Sequence, residues 1–151
     1  MKIYTAPITH RPERDGTVVD SAHVPFYLAM EYSAAAWRSL LAEVCGDLLP
    51  ARDLGVVDVS ATFTRELFVG EVRAEVELIR LGTSSLGFRV MIEQDGVTCA
   101  VITNVLVRLA PGRKTSLPLS AAQRGALEPV LHREENNEYV HPAARGGRSA
   151  R

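Results

Sequence analysis

A single helix set against a long run of strand most narrows what this chain can fold into. From Phe26 to Val44, apolar residues recur every three or four positions: Phe26, Met30, Ala34, Trp37, Leu41 and Val44. That spacing predicts one amphipathic helix of roughly 20 residues, about 30 Å long. Pro25 suits its first turn, where a missing N–H costs nothing. The alanines from Ala34 to Ala36 imply that something packs close against it. From Val56 to Leu109 the period changes to two. Val57, Val59, Ala61 and Phe63 alternate with Asp58, Ser60, Thr62 and Thr64. Val72, Ala74, Val76 and Leu78 alternate with Arg73, Glu75 and Glu77, and Leu86, Phe88, Val90 and Ile92 form a third inner face. "TCAVITNVLVRLA" is apolar on both faces at its centre and should lie in the middle of a sheet. "FVGE", "GTSS" and the hairpin signal Asp95-Gly96 separate these strands.

"KIYTAPITH" adds a short first strand ahead of the polar "RPERDG", and "SAAQRGALEPVL" a short closing helix. The expected fold is therefore α+β, an antiparallel sheet of about five strands wrapped round one long helix. Residues 1–118 form the main domain, 119–132 the short C-terminal helix, and 133–151 a flexible polar tail without chemistry. One helix covers one face of such a sheet. Long exposed strands then need a partner, so a homodimer or tetramer is expected.

Composition removes several function classes. The chain has 151 residues, the size of one domain, with 17 basic against 18 acidic residues. That balance offers no footprint for nucleic acid and no basic face for a membrane surface. "MKIYTAPITH" lacks the apolar run of a signal peptide, and no segment reads as a bilayer span. A cytoplasmic location is expected. Cys45 and Cys99 stand far apart in apolar surroundings and read as buried thiols rather than metal ligands. No phosphate loop, dinucleotide fingerprint, zinc spacing or nucleophile elbow occurs, so neither cofactor nor metal is expected.

The stretch with chemical content is "DSAHVPFYLAMEYSAAAW", from Asp20 to Trp37. Asp20 is either a helix-capping side chain or a working carboxylate at the helix mouth. His23 is either a turn histidine or a group that orients a water or an acyl carbonyl. Glu31 is either a solvated helix residue or a second acid; eight positions beyond His23, it would share that residue's face of the helix. Thr64 and Ser84 are strand and turn residues able to hydrogen-bond across a dimer interface.

Four stretches together resemble the 4-hydroxybenzoyl-CoA thioesterase family of hot-dog proteins: "DGTVVDSAHVPFY", "RELFVGEVRAEVEL", "LGTSSLGFRVMIEQDGVTCA" and "GRKTSLPLS". The resemblance spans about residues 2–130. It implies a hot-dog fold and hydrolysis of an acyl-CoA or acyl-carrier-protein thioester. Thr17 stands where that family keeps its aspartate relative to Tyr27, with Asp15 and Asp20 the acids nearby. A second hot-dog lineage carries its acid within the helix, where Glu31 stands here. By this resemblance the catalytic group is Asp20, His23 and Glu31. The substrate would meet Tyr27, Phe26, Thr64 and Ser84, with Arg113 and Lys114 on the nucleotide phosphates. Two further readings keep the fold: a non-catalytic acyl-CoA-binding module, and a hydratase or dehydratase.

Overall fold

The computed structural model describes residues 1–11, 14–16 and 22–133. Asp20 and the tail from residue 134 lie outside them. The elements are β1 (Lys2–Ile8), α1 (Phe26–Cys45), β2 (Leu54–Phe63), β3 (Gly70–Leu81), β4 (Ser85–Gln94), β5 (Val97–Arg108) and α2 (Ala121–Leu127). The strands form one antiparallel sheet in the order β1-β3-β4-β5-β2. The three long strands β3, β4 and β5 occupy its interior, β4 at the centre with β5 beside it. The connection from β1 to β2 carries α1 across the whole sheet.

The core forms where α1 meets the inner face of β3, β4 and β5. Val76, Leu78, Phe88, Val90, Ile92 and Ile102 are all fully buried there. On the helix, Leu28, Ala29, Ser33, Ala36, Trp37, Leu40, Leu41 and Cys45 are buried. This face is rotated from the stripe expected from sequence: Trp37 and Leu41 are shared, but Phe26 is 67% exposed. The reason is size. Ala29, Ser33 and Ala36 carry little hydropathy signal, yet small residues let a helix backbone come nearest to its neighbour. Ser33 accepts a hydrogen bond from the Asn104 side chain at 3.1 Å, a polar contact inside the helix–sheet layer. One turn further on, the Trp37 ring stacks on Phe88, centroids 5.7 Å apart and 18° between planes. Burial also pushes the Cys45 thiol up from its ordinary range.

Pro25 sits at the cap position with extended backbone rather than in the first turn. Two register breaks alter the strand reading. Val57 is an extra residue in β2 between the Val56 and Asp58 pairings, so the clean alternation expected there starts only after a bulge. Ile79 plays the same part in β3.

The two sheet edges differ. β1 is short and carries Lys2 and Pro7, both of which discourage further pairing. β2 has ten residues, neither lysine nor proline, and is exposed from Val56 to Phe63. Where β1 runs out along β3, the C-terminal segment takes its place: Leu131 bridges Leu78, and the His132 N–H donates to the Leu78 carbonyl at 2.7 Å. Beside it Glu77, nearly buried, receives both Nε and Nη2 of Arg89, at 3.1 and 2.6 Å. No helix among the described residues is long and apolar enough to cross a membrane.

Trp37 carries much of this layer, so Trp37→Ala should cost about 3–5 kcal/mol. Trp37→Phe keeps a ring on Phe88 and removes the Nε1–H, a buried donor that has no partner among the described residues. It should cost clearly less. Urea unfolding of both variants measures this, and an alanine variant with the parent midpoint would refute the assignment.

Candidate active site at the helix mouth

The turn ahead of α1 is held by backbone pairing to a loop more than forty residues away. Val24 N–H donates to the Leu67 carbonyl, and Val69 N–H to the Ala22 carbonyl, each at 2.8 Å. Between them His23 and Phe68 face each other as an antiparallel bridge. Their rings lie 4.8 Å apart. That loop is in turn gripped from the sheet. The Gln94 amide, at the end of β4, accepts from Phe68 N–H at 2.9 Å and donates to the Phe68 carbonyl at 2.8 Å. It thus acts as a one-residue strand partner.

A cleft of about 350 Å³ opens at this corner, lined chiefly by His23, Phe26, Phe63, Thr64, Arg65 and Glu66. Thr64 is tied down, its Oγ1 donating to the Thr98 carbonyl at 2.9 Å. Phe26 stands edge-on to Phe63 at 6.5 Å and to Tyr27 at 6.1 Å. His23 Nδ1 lies 2.9 Å from Glu66 Oε2. Among the described residues the mouth of α1 has no side-chain cap, and its first turn holds no acid. Leu28 N–H turns back to the Pro25 carbonyl at 3.1 Å, and the leading N–H groups together form the positive end of the helix. An apolar wall, an imidazole–carboxylate pair and a helix terminus therefore meet in one place.

The sequence candidates divide between this corner and others. His23, Phe26 and Thr64 line the cleft; Tyr27 follows Phe26 in the first turn of α1, its ring edge-on to that of Phe26. Glu31 does not join His23, contrary to expectation. Its two carboxylate oxygens take Nη1 and Nη2 of Arg11 at 3.0 and 2.8 Å. It lines a separate depression with Ile8, Leu28 and Tyr32. The spacing argument failed because His23 is not helical: α1 begins at Phe26, and extended backbone carries His23 away from the helical phase.

Ser84, Arg113 and Lys114 sit at the opposite end of the sheet. Arg108, at the end of β5, pairs with Leu54, whereas Ala100 pairs with Phe63 at the cleft. Nine residues of strand make this about 30 Å. There the Ser84 carbonyl accepts the Arg108 N–H. The Arg113 guanidinium donates to the carbonyls of Arg52 and Leu54, so much of its donor set is spent on holding its own loop. A second depression of about 450 Å³, with Arg52, Asp53, Arg108 and Arg113 in its wall, marks this end. Among the described residues no three His, Cys, Asp or Glu side chains gather as metal ligands.

Glu66 and Gln94 were not foreseen. Both belong to short irregular pairings that leave no periodic trace, and an isolated Glu or Gln beside a turn reads as solvated.

The chain can be placed among known proteins. Residues 28–100 match the model of the thioesterase superfamily. No curated protein sequence matches the chain. Among solved structures it resembles a predicted thioesterase from Bacillus stearothermophilus, with TM-score 0.71, 19% identity, and 89% of this chain and 100% of that chain covered. It resembles a thioesterase from Thermus thermophilus complexed with coenzyme A and Zn, with TM-score 0.70, 23% identity, and 87% and 96% covered. A hypothetical protein from Staphylococcus aureus in complex with CoA superposes with TM-score 0.72 at 10% identity, 98% and 93% covered. These likenesses establish the hot-dog fold.

Loss of the Gln94 grip should loosen the corner alone. In Gln94→Ala, hydrogen exchange at the Phe68 amide should quicken by roughly fivefold or more, the scale of one hydrogen bond worth ~1 kcal/mol. Amides of β4 and β5 should keep their protection. Unchanged exchange at Phe68 would show that the grip does not hold the loop.

Proposed function

From a hot-dog domain whose residues 28–100 carry the thioesterase-superfamily match, we propose that this protein hydrolyses an acyl-CoA thioester at the cleft by the mouth of α1. The observation that carries this reading is the meeting there of a helix N-terminus with an imidazole and an apolar wall. A thioester needs little more. The carbonyl oxygen gains charge as a nucleophile adds, and the first-turn N–H groups with the positive helix end stabilise that charge. The thiolate then leaves without a strong acid to protonate it. Phe26 and Phe63 offer a surface for the acyl group. Asp20, three residues before His23, is the carboxylate we assign to activate the water or attack directly. Glu31 is engaged with Arg11 on another side of the helix and is not assigned to the chemistry.

The reading includes a homodimer through β2. Val56, Val57, Val59 and Phe63 are exposed on that open edge. Antiparallel pairing of β2 with a second copy lays its Phe63 end against the Leu54 end of the partner. The arginine-walled depression of the partner subunit would then adjoin the cleft, a fitting place for nucleotide phosphates. Lys114 adds charge there, while Arg113 serves chiefly by shaping the loop. Two of the similar structures hold coenzyme A, which favours CoA over a carrier protein as the acyl donor.

Two measurements bear on this. Asp20→Asn should lower kcat by ~10²-fold or more and spare binding of an unreactive acyl-CoA analogue, whereas Glu31→Gln should hydrolyse at the parent rate. Equal rates for Asp20→Asn and the parent would remove Asp20 from the mechanism. Binding without any turnover by the parent would favour the non-catalytic module. Separately, the parent should sediment at twice the mass of one chain. Val59→Asp, placing a charge on the β2 edge, should sediment as a monomer and lose activity; a persistent dimer would move the interface elsewhere.

A further inference from the structure

Resting on that reading of the cleft, we propose that Arg65 is a specificity-determining residue that selects acyl groups ending in a carboxylate. The lining of the cleft is of two kinds. Phe26 and Phe63 offer apolar surface, their ring centroids 6.5 Å apart and both side chains exposed. Arg65 lines the same cleft, and its guanidinium enters no hydrogen bond or ion pair among the described residues. Arg11, Arg89 and Arg113, by contrast, are committed to Glu31, to Glu77 and to backbone carbonyls. Even the adjacent Glu66 carboxylate lies against His23 Nδ1, at 2.9 Å, and not against Arg65.

The root of Arg65 is held although its head is not. The N–H groups of Thr64 and Arg65 both donate to the Cys99 carbonyl, at 2.8 and 3.3 Å, and Thr64 Oγ1 donates to the Thr98 carbonyl at 2.9 Å. This keeps Arg65 just beyond Phe63, where the aromatic surface ends. A guanidinium takes a carboxylate through two parallel N–H bonds. With the thioester carbonyl at the helix mouth and an apolar stem on the phenylalanines, a terminal carboxylate on Arg65 gives each kind of group in the cleft a task. The phosphates of CoA are the other anions that an arginine could meet. They bring no apolar stem to Phe26 and Phe63, and the reading above places them in the arginine-walled depression. Selection is by gain rather than by exclusion. A neutral acyl group leaves the guanidinium in water at little cost and remains a substrate.

The test compares adipoyl-CoA with hexanoyl-CoA, equal in chain length and differing in the terminal carboxylate. Hydrolysis is read as kcat/KM. Binding is read by calorimetry on the matching thioethers, in which a methylene replaces the thioester carbonyl. The parent should favour the carboxylated member of each pair by roughly tenfold, the scale of one charge-assisted pair. Arg65→Gln should remove the preference, the loss falling on the carboxylated compounds. Arg65→Lys, which keeps the charge and loses the fork, should retain part of it. A parent that binds neither thioether, or both alike, would overturn the assignment. So would an Arg65→Gln variant that weakens both thioethers equally, the result expected of a phosphate contact or of a residue that only supports its loop. A parent that binds with the expected preference, lost in Arg65→Gln, yet hydrolyses neither thioester would overturn the proposed function and leave the carboxylate site standing.

Discussion

The close approach of α1 to the sheet rests on small side chains, and the rest of the molecule depends on that approach. Ala29, Ser33 and Ala36 are buried at the contact and leave no bulk between backbone and strands. Larger side chains flank them: Trp37 reaches Phe88, and Leu40 and Leu41 complete the layer. A single helix can thus serve as the core for three long strands. The same closeness brings the start of the helix to the corner where β2 ends and β3 begins. Only there can the segment from Ala22 to Val24 pair with Leu67 to Val69.

That corner links fold to chemistry. Packing fixes the helix axis, backbone pairing fixes the turn before it, and Gln94 fixes the loop on the other side. The side chains of the cleft are thus presented on a frame held by backbone and amide hydrogen bonds.

Much of the fold was legible from periodicity. The change from a spacing of three and four to a spacing of two separated α1 from the strands, and Asp95-Gly96 placed the β4–β5 turn where it stands. The phase of the helix was not legible, because alanine and serine carry the closest contacts yet weigh little in a hydropathy pattern. The bulge at Val57 was hidden for a similar reason: valine suits a strand whether it faces in or out. At the candidate cleft, His23, Phe26 and Thr64 stood out in the sequence because they flank a recognisable helix start or strand end. Glu66 was not, since its partner comes from another part of the chain and the pairing is too short to leave a pattern. Glu31 was grouped with His23 by counting helical positions through a residue that is not helical, and the two line different depressions.

The unequal edges of the sheet have a consequence for assembly. Lys2 and Pro7 blunt β1, while β2 offers ten residues without either device. A sheet open on both sides can add copies without end and run into a filament. A sheet open on one side can add only its own mirror in sequence, strand against the same strand reversed, and that union consumes the open side of both chains. In the dimer proposed above, growth by edge pairing would then stop at two. The proline near the end of a seven-residue strand would be one of the devices that keeps the other edge from adding further copies.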